Sequence, residues 1–316
     1  MQLARRTPMR RLFGGISTIR CRGVTTWSRI PCIRGLQQFR RSDSRSANPT
    51  SQGLSLRGIG GNASSRALLV LDGVPQADPF GGWVPFPAYA TDRIGLIRVT
   101  RGGGSGYFGP GALAGTIEID SADPADQPTL AADLAYGSRR SLSAAASGLL
   151  RRDGGFATLS AAYDRGDGFV PTVAESRGPA DRAAPFEQFS AAARSVVALG
   201  GQTELQTNLS GFTDTRERGT AFTRNRSQGA DASVRLIGRG DWGWSALAYL
   251  QTRAFASQFA SVDAARTTAT QTLDQYNTPA TGTGGRIEVK PPVGEGRDLR
   301  LGAAVRRVSG QTQELY

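Results

Sequence analysis

From residue 129 onward the chain is written in runs that change polarity at every step. In the run from Trp242 to Leu250, one face takes Trp242, Trp244, Ala246, Ala248 and Leu250. In Arg286-Ile287-Glu288-Val289-Lys290 the charges share one face, and Ile287 and Val289 share the other. Leu299, Leu301, Ala303 and Val305 repeat the pattern. A period of two belongs to a β-strand, and about 9 to 11 tilted residues are enough to cross a lipid bilayer. Runs of this kind occupy 129–137, 142–152, 155–164, 187–198, 203–213, 229–239, 241–253, 282–290 and 298–310. Their connections alternate as well. Arg152-Asp153-Gly154, Gly200-Gly201-Gln202 and Arg239-Gly240-Asp241 read as tight turns, whereas 165–186, 214–228 and 254–281 read as long loops. Short turns on one side and long loops on the other is the wiring of an outer-membrane barrel. A soluble glycine-rich β-protein acting as a binding or adhesion module shares the alternation but has no need of the wiring.

Composition removes other classes. There is no histidine, so histidine-based hydrolases and histidine zinc sites are excluded, and two cysteines cannot build a disulfide scaffold. The longest apolar run, Ala67 to Leu71, is far too short for a membrane-spanning helix. Glycine fills 41 of 316 positions, about twice the usual share of roughly 7 per cent. The net charge of +12 is concentrated: residues 1–50 hold 11 arginines and one acid, Asp43, together with both cysteines, Cys21 and Cys32. Residues 1–35 show neither strand nor helix period and no secretory apolar core. They read as a non-native or disordered Arg-rich leader, and the charge is not a nucleic-acid signature.

Residues 36–121 read as a compact α/β unit. Leu54-Ser55-Leu56-Arg57-Gly58, Ala67 to Leu71, Ile97 to Arg101 and Thr116 to Asp120 have strand character. Asp72-Gly73-Val74-Pro75 marks a turn, and Thr91 is placed to cap a short helix opening at Ala90 to Ile94. Residues 122–128 form a proline-bearing hinge before the strand region 129–316. Gly104-Ser105-Gly106-Tyr107-Phe108-Gly109 satisfies the spelling of a dinucleotide-binding loop. Pro110 and Gly111 follow at once, leaving no room for the helix that chemistry requires, so a nucleotide-dependent enzyme has little support.

Four ordered motifs then carry a resemblance. Ser55-Leu56-Arg57-Gly58, Leu69 to Pro75, Ile97 to Gly102 and Gly109 to Ile119 resemble the successive plug-domain motifs of TonB-dependent outer-membrane receptors. The resemblance implies a small α/β plug followed by antiparallel transmembrane β-barrel strands, here an incomplete version of a barrel of about 22 strands. It implies a transporter and not an enzyme: TonB-energised uptake of a scarce small-molecule ligand such as a ferric siderophore, no cofactor, no metal site, outer-membrane lipid around a monomer, and the TonB complex as partner. A TonB box and a signal peptide are not recognisable in the chain, and the chain reads as a fragment, inactive in transport by itself. It also implies that Arg57 and Arg101 lock the plug to glutamates of the barrel, and that the loop Gln76 to Pro85, with Asp78, Phe80 and Trp83, faces the ligand. Packing of Phe80 and Trp83 against the barrel is the alternative role for those rings. The loop arginines Arg177, Arg182, Arg216, Arg218, Arg224 and Arg226 suit an anionic ligand or a lipid phosphate, or are plain solvated charge. Tyr136, Tyr163, Trp242 and Trp244 fit aromatic girdles at the lipid interfaces.

Overall fold

The computed structural model describes residues 16–20, 36–40, 45–56, 67–102, 110–294 and 296–316. Its first unit is a five-stranded sheet in the order β1 (Ile16–Arg20), β6 (Ile94–Arg101), β7 (Gly115–Ser121), β4 (Ala67–Leu71), β5 (Val74–Pro75). β4 and β7 run parallel and the other pairs antiparallel. β2 (Leu36–Arg40) and β3 (Gly53–Leu56) form a separate antiparallel pair. The uninterrupted apolar run of β4 follows from burial on both faces. Leu69 joins the main core with Leu54, Leu56, Ile97, Val99, Ile117 and Ile119, while Leu68 and Val70 pack on Ala112 at the back. Asp72 and Gly73 both have positive φ, 48° and 90°, and close β4 onto β5 as a two-residue turn of the kind aspartate-glycine favours. The Asp72 carboxylate also accepts from the Ser121 amide at 2.9 Å, which ties the turn to the end of β7.

Two expectations change here. The leader is not wholly outside the fold, because Ile16–Arg20 pairs along β6 from Leu96 to Thr100. The unit is also not α/β: among the described residues it holds only 3-10 turns and no α-helix. The helix expected at Ala90 to Ile94 is the single 3-10 turn Thr91–Arg93, cut short because Ile94 already enters the β6 ladder opposite Ser121.

The second unit is an antiparallel meander in strict sequence order: β8 (Leu130–Gly137), β9 (Ser141–Arg152), β10 (Gly155–Gly166), β11 (Phe186–Gly200), β12 (Thr203–Arg216), β13 (Asn225–Arg239), β14 (Gly243–Val262), β15 (Ala269–Lys290) and β16 (Leu301–Gly310). The short β17 (Gln313–Leu315) also pairs with β15. The sheet is open, with β8 and β16 at its two ends. Each of the nine alternating runs is one of these strands. The turn Gly201-Gln202 has φ of 55° and 62°, the mirror-image geometry that matches strand twist. At the opposite ends, the three loops are shorter than the sequence suggested. β14 and β15 continue as a ladder to Val262 and Ala269, so only 263–268 remains loop. The segment from Ala269 to Thr281 is polar on both faces and shows no alternation, yet backbone pairing carries the strand on.

The two faces of this wall are inverted relative to a soluble sheet. Leu134, Tyr136, Leu159, Phe189, Leu209, Leu250, Ile287 and Val305 are exposed on one face. Gln188, Ser190, Asp214, Arg216, Asn225, Ser227, Gln251, Arg253 and Ser257 are buried on the other, against the first unit. Apolar outside and polar inside is the arrangement lipid requires.

Candidate functional site

The site is the seam where the first unit sits against the polar face of the wall. Strand parity selects the residues that reach it, because successive side chains point to opposite faces. On β12, Phe212, Asp214 and Arg216 share the inner face with Gln188 of the paired β11. Arg216 is 1 % exposed. Its guanidinium pairs with the Asp214 carboxylate and donates to Gln52 Oε1 at 3.0 Å and to the Ala47 carbonyl at 3.2 Å. Gln188 donates to Asp214 at 2.8 Å and accepts from Arg45, which also stacks over Phe186 at 5.2 Å. A buried ion pair is tolerated only when its remaining hydrogen bonds are met, and here residues 45–52 of the first unit supply several of them.

A second polar lock lies on β13 and β14. Arg253 donates to both Asp231 oxygens at 2.9 Å and lies over the Phe212 ring at 5.6 Å. Gly229 makes this possible, since a Cβ there would stand 2.6 Å from the Arg253 Cδ. Fully buried Gln251 donates to the Pro75 carbonyl at 2.8 Å and to Asp231 at 3.0 Å. Phe212 itself belongs to the apolar core of the first unit, so the wall contributes one aromatic side chain to it. At the foot of the seam, Arg151 of β9 donates to the Gln127 carbonyl at 2.9 Å and holds the hinge against the sheet.

The loop Gln76 to Pro85 is held in place by its own residues. Asp78 is 3 % exposed, and its carboxylate accepts from the Phe80 and Gly81 amides at 2.9 and 2.7 Å. Burial raises its pKa above the usual carboxylate range, opposed by those two amides and by Arg253. Tyr89 donates to Gln76 Oε1 at 2.8 Å, and burial pushes its phenol well above the ordinary range. Trp83 is buried against Phe255 of β14, ring centroids 4.8 Å apart. Pro79 and Phe80 lean on two bare places in the wall: a Cβ at Gly282 would lie 2.9 Å from the Pro79 Cγ, and one at Gly310 would lie 2.5 Å from Phe80. Of the three loop residues singled out in the sequence, Asp78 shapes the loop, Trp83 packs it onto the wall, and Phe80, 49 % exposed, is presented outward.

The arginines singled out in the sequence fall in different parts of the structure. Arg57 lies outside the described residues, as does the Gly104–Gly109 motif. Arg101 ends β6 opposite Gly115 and is half-buried. On the wall, Arg216 pairs with Asp214 and reaches the Ala47 carbonyl of the first unit, while Arg253 pairs with Asp231 and the neighbouring Gln251 reaches the Pro75 carbonyl. Arg216, expected in a loop as ligand-directed or solvated charge, is a buried strand residue, and Arg226 is likewise on a strand. Arg218 is engaged by the Thr223 carbonyl at 3.1 Å and the Phe259 ring at 5.1 Å. The signal for these contacts is present in the sequence: charged or amide residues at the inner parity of strands, at 188, 214, 216, 231, 251 and 253.

The three loops at the far end of the wall are cross-linked. The Asp181 carboxylate accepts from Arg266 Nε at 2.7 Å, Thr172 Oγ1 at 2.7 Å and the Gly178 amide at 2.9 Å. Arg182 donates its amide to Gly219 at 2.9 Å, which joins the third loop. The Arg266 hydrogen bond above all, then Gly178 and Thr172, holds Asp181 well below the usual carboxylate range. A depressed carboxylate contributes stability that is present above its unfolded pKa, about 3.9, and that is lost only as pH falls through the much lower folded value. Limited proteolysis of 167–185 is therefore expected to give one pattern from pH 7 down to pH 4, whereas Asp181→Asn exposes new cleavage sites in that loop at every pH.

Residues 16–116 match the family model of the TonB-dependent receptor plug domain. Over this third of the chain the likeness is to the plug of TonB-dependent receptors. Solved structures agree on the fold. The copper transporter OprC aligns with a TM-score of 0.73 at 13 % identity, over 95 % of this chain and 47 % of its own. The ferric citrate transporter FecA, unliganded, gives 0.70 at 12 % identity, over 95 % and 48 %. The ferric yersiniabactin uptake receptor FyuA of Yersinia pestis gives 0.65 at 16 % identity, over 95 % and 50 %. The chain thus spans about half the length of these structures. No curated protein matches it. The five-stranded unit is the plug, and the meander corresponds to barrel wall.

Proposed function

We propose that these residues serve an outer-membrane receptor that imports a scarce ligand, a ferric siderophore or comparable metal chelate, with energy delivered by the TonB complex. The observation that carries this reading is the inverted wall: an apolar outer face suited to lipid, and a polar inner face bonded to a plug. Solved receptors of the same fold are named for siderophore, iron and copper transport, which supports a metal-linked cargo. Phe80 at the plug apex and the cross-linked outer loops form the ligand-facing end. The plug-domain match supports reading the protein as a transporter and not an enzyme. Arg101, at the end of β6, serves to hold the plug in the wall. Deleting the coding sequence from its host and measuring uptake of radiolabelled ferric chelates of catecholate, hydroxamate and carboxylate type tests the reading. Loss of proton-motive-force-dependent uptake of one chelate is expected. Unchanged uptake across iron, copper and cobalamin probes overturns it.

A further inference from the structure

The outward face of the wall is not uniform. Strand pairing resolves it into rows that cross from β10 to β14. The topmost row reads Arg165, Glu187, Thr215, Arg226 and Ala256. Glu187 and Arg226 are exposed. Among the described residues neither has an oppositely charged group within ion-pair distance, although Arg165 stands opposite Glu187 in the register. Each is steadied from the row below. Tyr163 donates to the Glu187 carboxylate at 2.9 Å, and Arg226 donates to Gln228 Oε1 at 3.1 Å. Glu187, Thr215 and Arg226 thus present an acceptor, a hydroxyl and a cation on three adjacent strands, spaced about 4.8 Å apart. Further down, the outward side chains become small. Ala191, Gly211 and Ala230 form one row, and in the next Leu159, Leu209 and Leu250 stand on alternate strands. A groove of about 360 Å³ runs among these six. From Gln228 to Gly238, the partner of Trp244, β13 advances ten residues. At about 3.3 Å per residue and a tilt of about 40° this is about 25 Å of height, the extent of the apolar band on a barrel wall. The charged row therefore stands at the boundary between lipid and water, directly above the groove.

We propose that Glu187, Thr215 and Arg226 bind the headgroup of a phospholipid that joins a phosphate to a primary ammonium, and that one of its acyl chains lies in the groove below. A guanidinium and a hydroxyl are donors suited to phosphate oxygens. A carboxylate attracts an ammonium and repels a bare phosphate. The order along the row sets the order in the headgroup: ammonium over β11, phosphate over β12 and β13. The acyl chain follows the strands downward, because Ala191, Gly211 and Ala230 leave a depth that the leucines bound on either side. A chain seated there gains the dispersion contacts that an open groove lacks. A headgroup with phosphate alone meets Glu187 and loses part of what Arg226 supplies. The surface therefore selects a zwitterionic lipid over an anionic one of equal chain length. That this face meets lipid in the cell rests on the proposed outer-membrane function; binding of the lipid to the chain does not.

The test uses residues 1–316 folded in micelles of an uncharged detergent, with retained lipid counted by native mass spectrometry. Dioleoyl phosphatidylethanolamine is the probe. Dioleoyl phosphatidylglycerol, which has the phosphate without the ammonium, is its counterpart. The ethanolamine lipid is expected to be retained several-fold more strongly than the glycerol lipid, and this readout needs no variant to fold. Glu187→Gln is expected to erase the preference. Arg226→Gln is expected to weaken retention of both lipids about tenfold, the scale of one hydrogen bond to a charged group. Ala230→Phe fills the groove from an exposed position, and it is expected to weaken both lipids while the thermal midpoint stays where it was. Equal retention of the two lipids overturns the proposal, since it marks an unselective lipid coat, and so does retention of neither. A preference that survives Glu187→Gln, or retention unaffected by Arg226→Gln or by Ala230→Phe, overturns it as well. None of these outcomes depends on uptake, so failure of transport and failure of the lipid site are separable.

Discussion

Replacing Asp214 with alanine will detach the first plug segment from the wall. Asp214 is 1 % exposed and is the carboxylate that neutralises Arg216, itself 1 % exposed. Without it the buried guanidinium loses its carboxylate while keeping the contacts to Gln52 and the Ala47 carbonyl, and Gln188 loses the oxygen to which it donates. Removing one member of a buried pair costs about 3–5 kcal/mol, because the partner charge remains and has lost its compensation. The chain has a cheaper way out: residues 45–52 can leave the wall and let water reach Arg216. The expected result is a large fall in the thermal midpoint of the detergent-solubilised protein, with fresh protease cleavage between Arg45 and Leu56. Cleavage elsewhere in the plug should change little. The double variant Asp214→Leu with Arg216→Met separates charge from shape. Replacing a buried pair with apolar residues is often neutral, so much of the lost stability should return, but the contact with Gln52 should not. If Asp214→Ala leaves both the midpoint and the cleavage pattern unchanged, the pair does not hold the plug.

The strands were legible because lipid and lumen impose opposite polarity on alternate residues, and nine alternating runs became nine strands. The Asp72-Gly73 turn and the hairpin turn at Gly200 to Gln202 were legible because positive φ restricts residue choice. Neither a helix nor a loop boundary had such a constraint. Thr91 could cap a helix, but nothing in Ile94-Gly95-Leu96 sustains one once β7 offers a backbone partner. The polar stretch Ala269 to Thr281 has no face to hide, so periodicity said nothing about it, and pairing with β14 settled its form. Site roles depended on which face a side chain takes and what comes opposite. Arg216 looked like loop charge until the ladder with β11 extended through it. Trp83 could have met a ligand or the wall, and its choice was made by Phe255, more than 170 residues away in the chain.

Gly115→Val should be the most damaging single change in the plug. Gly115 opens β7, at the point where that strand joins β4 on one side and β6 on the other. Its φ is +139°, a conformation side chains rarely adopt, and a Cβ would stand 2.1 Å from the Thr100 carbonyl oxygen and 3.1 Å from the Arg101 Cα. Both obstacles are backbone, so no rotamer relieves them. Backbone strain of this kind costs about 1–3 kcal/mol by itself, and the collision adds the loss of the β6–β7 ladder at its end. A Cβ at this position would also stand 3.0 Å from the Leu56 Cδ1, so a valine also pushes on the centre of the apolar core. The expected outcome is a plug that is digested by protease while the wall strands remain protected. Gly148→Ala is the matched control. It lies on the lipid-facing side of β9 opposite Leu159, with no atom within 4 Å of the added Cβ, and a change at such a position is expected to stay within about 0.5 kcal/mol. Equal protease resistance of the two variants would mean that the plug tolerates separation of β6 from β7. The tight contact at Gly115 would then be incidental to its stability.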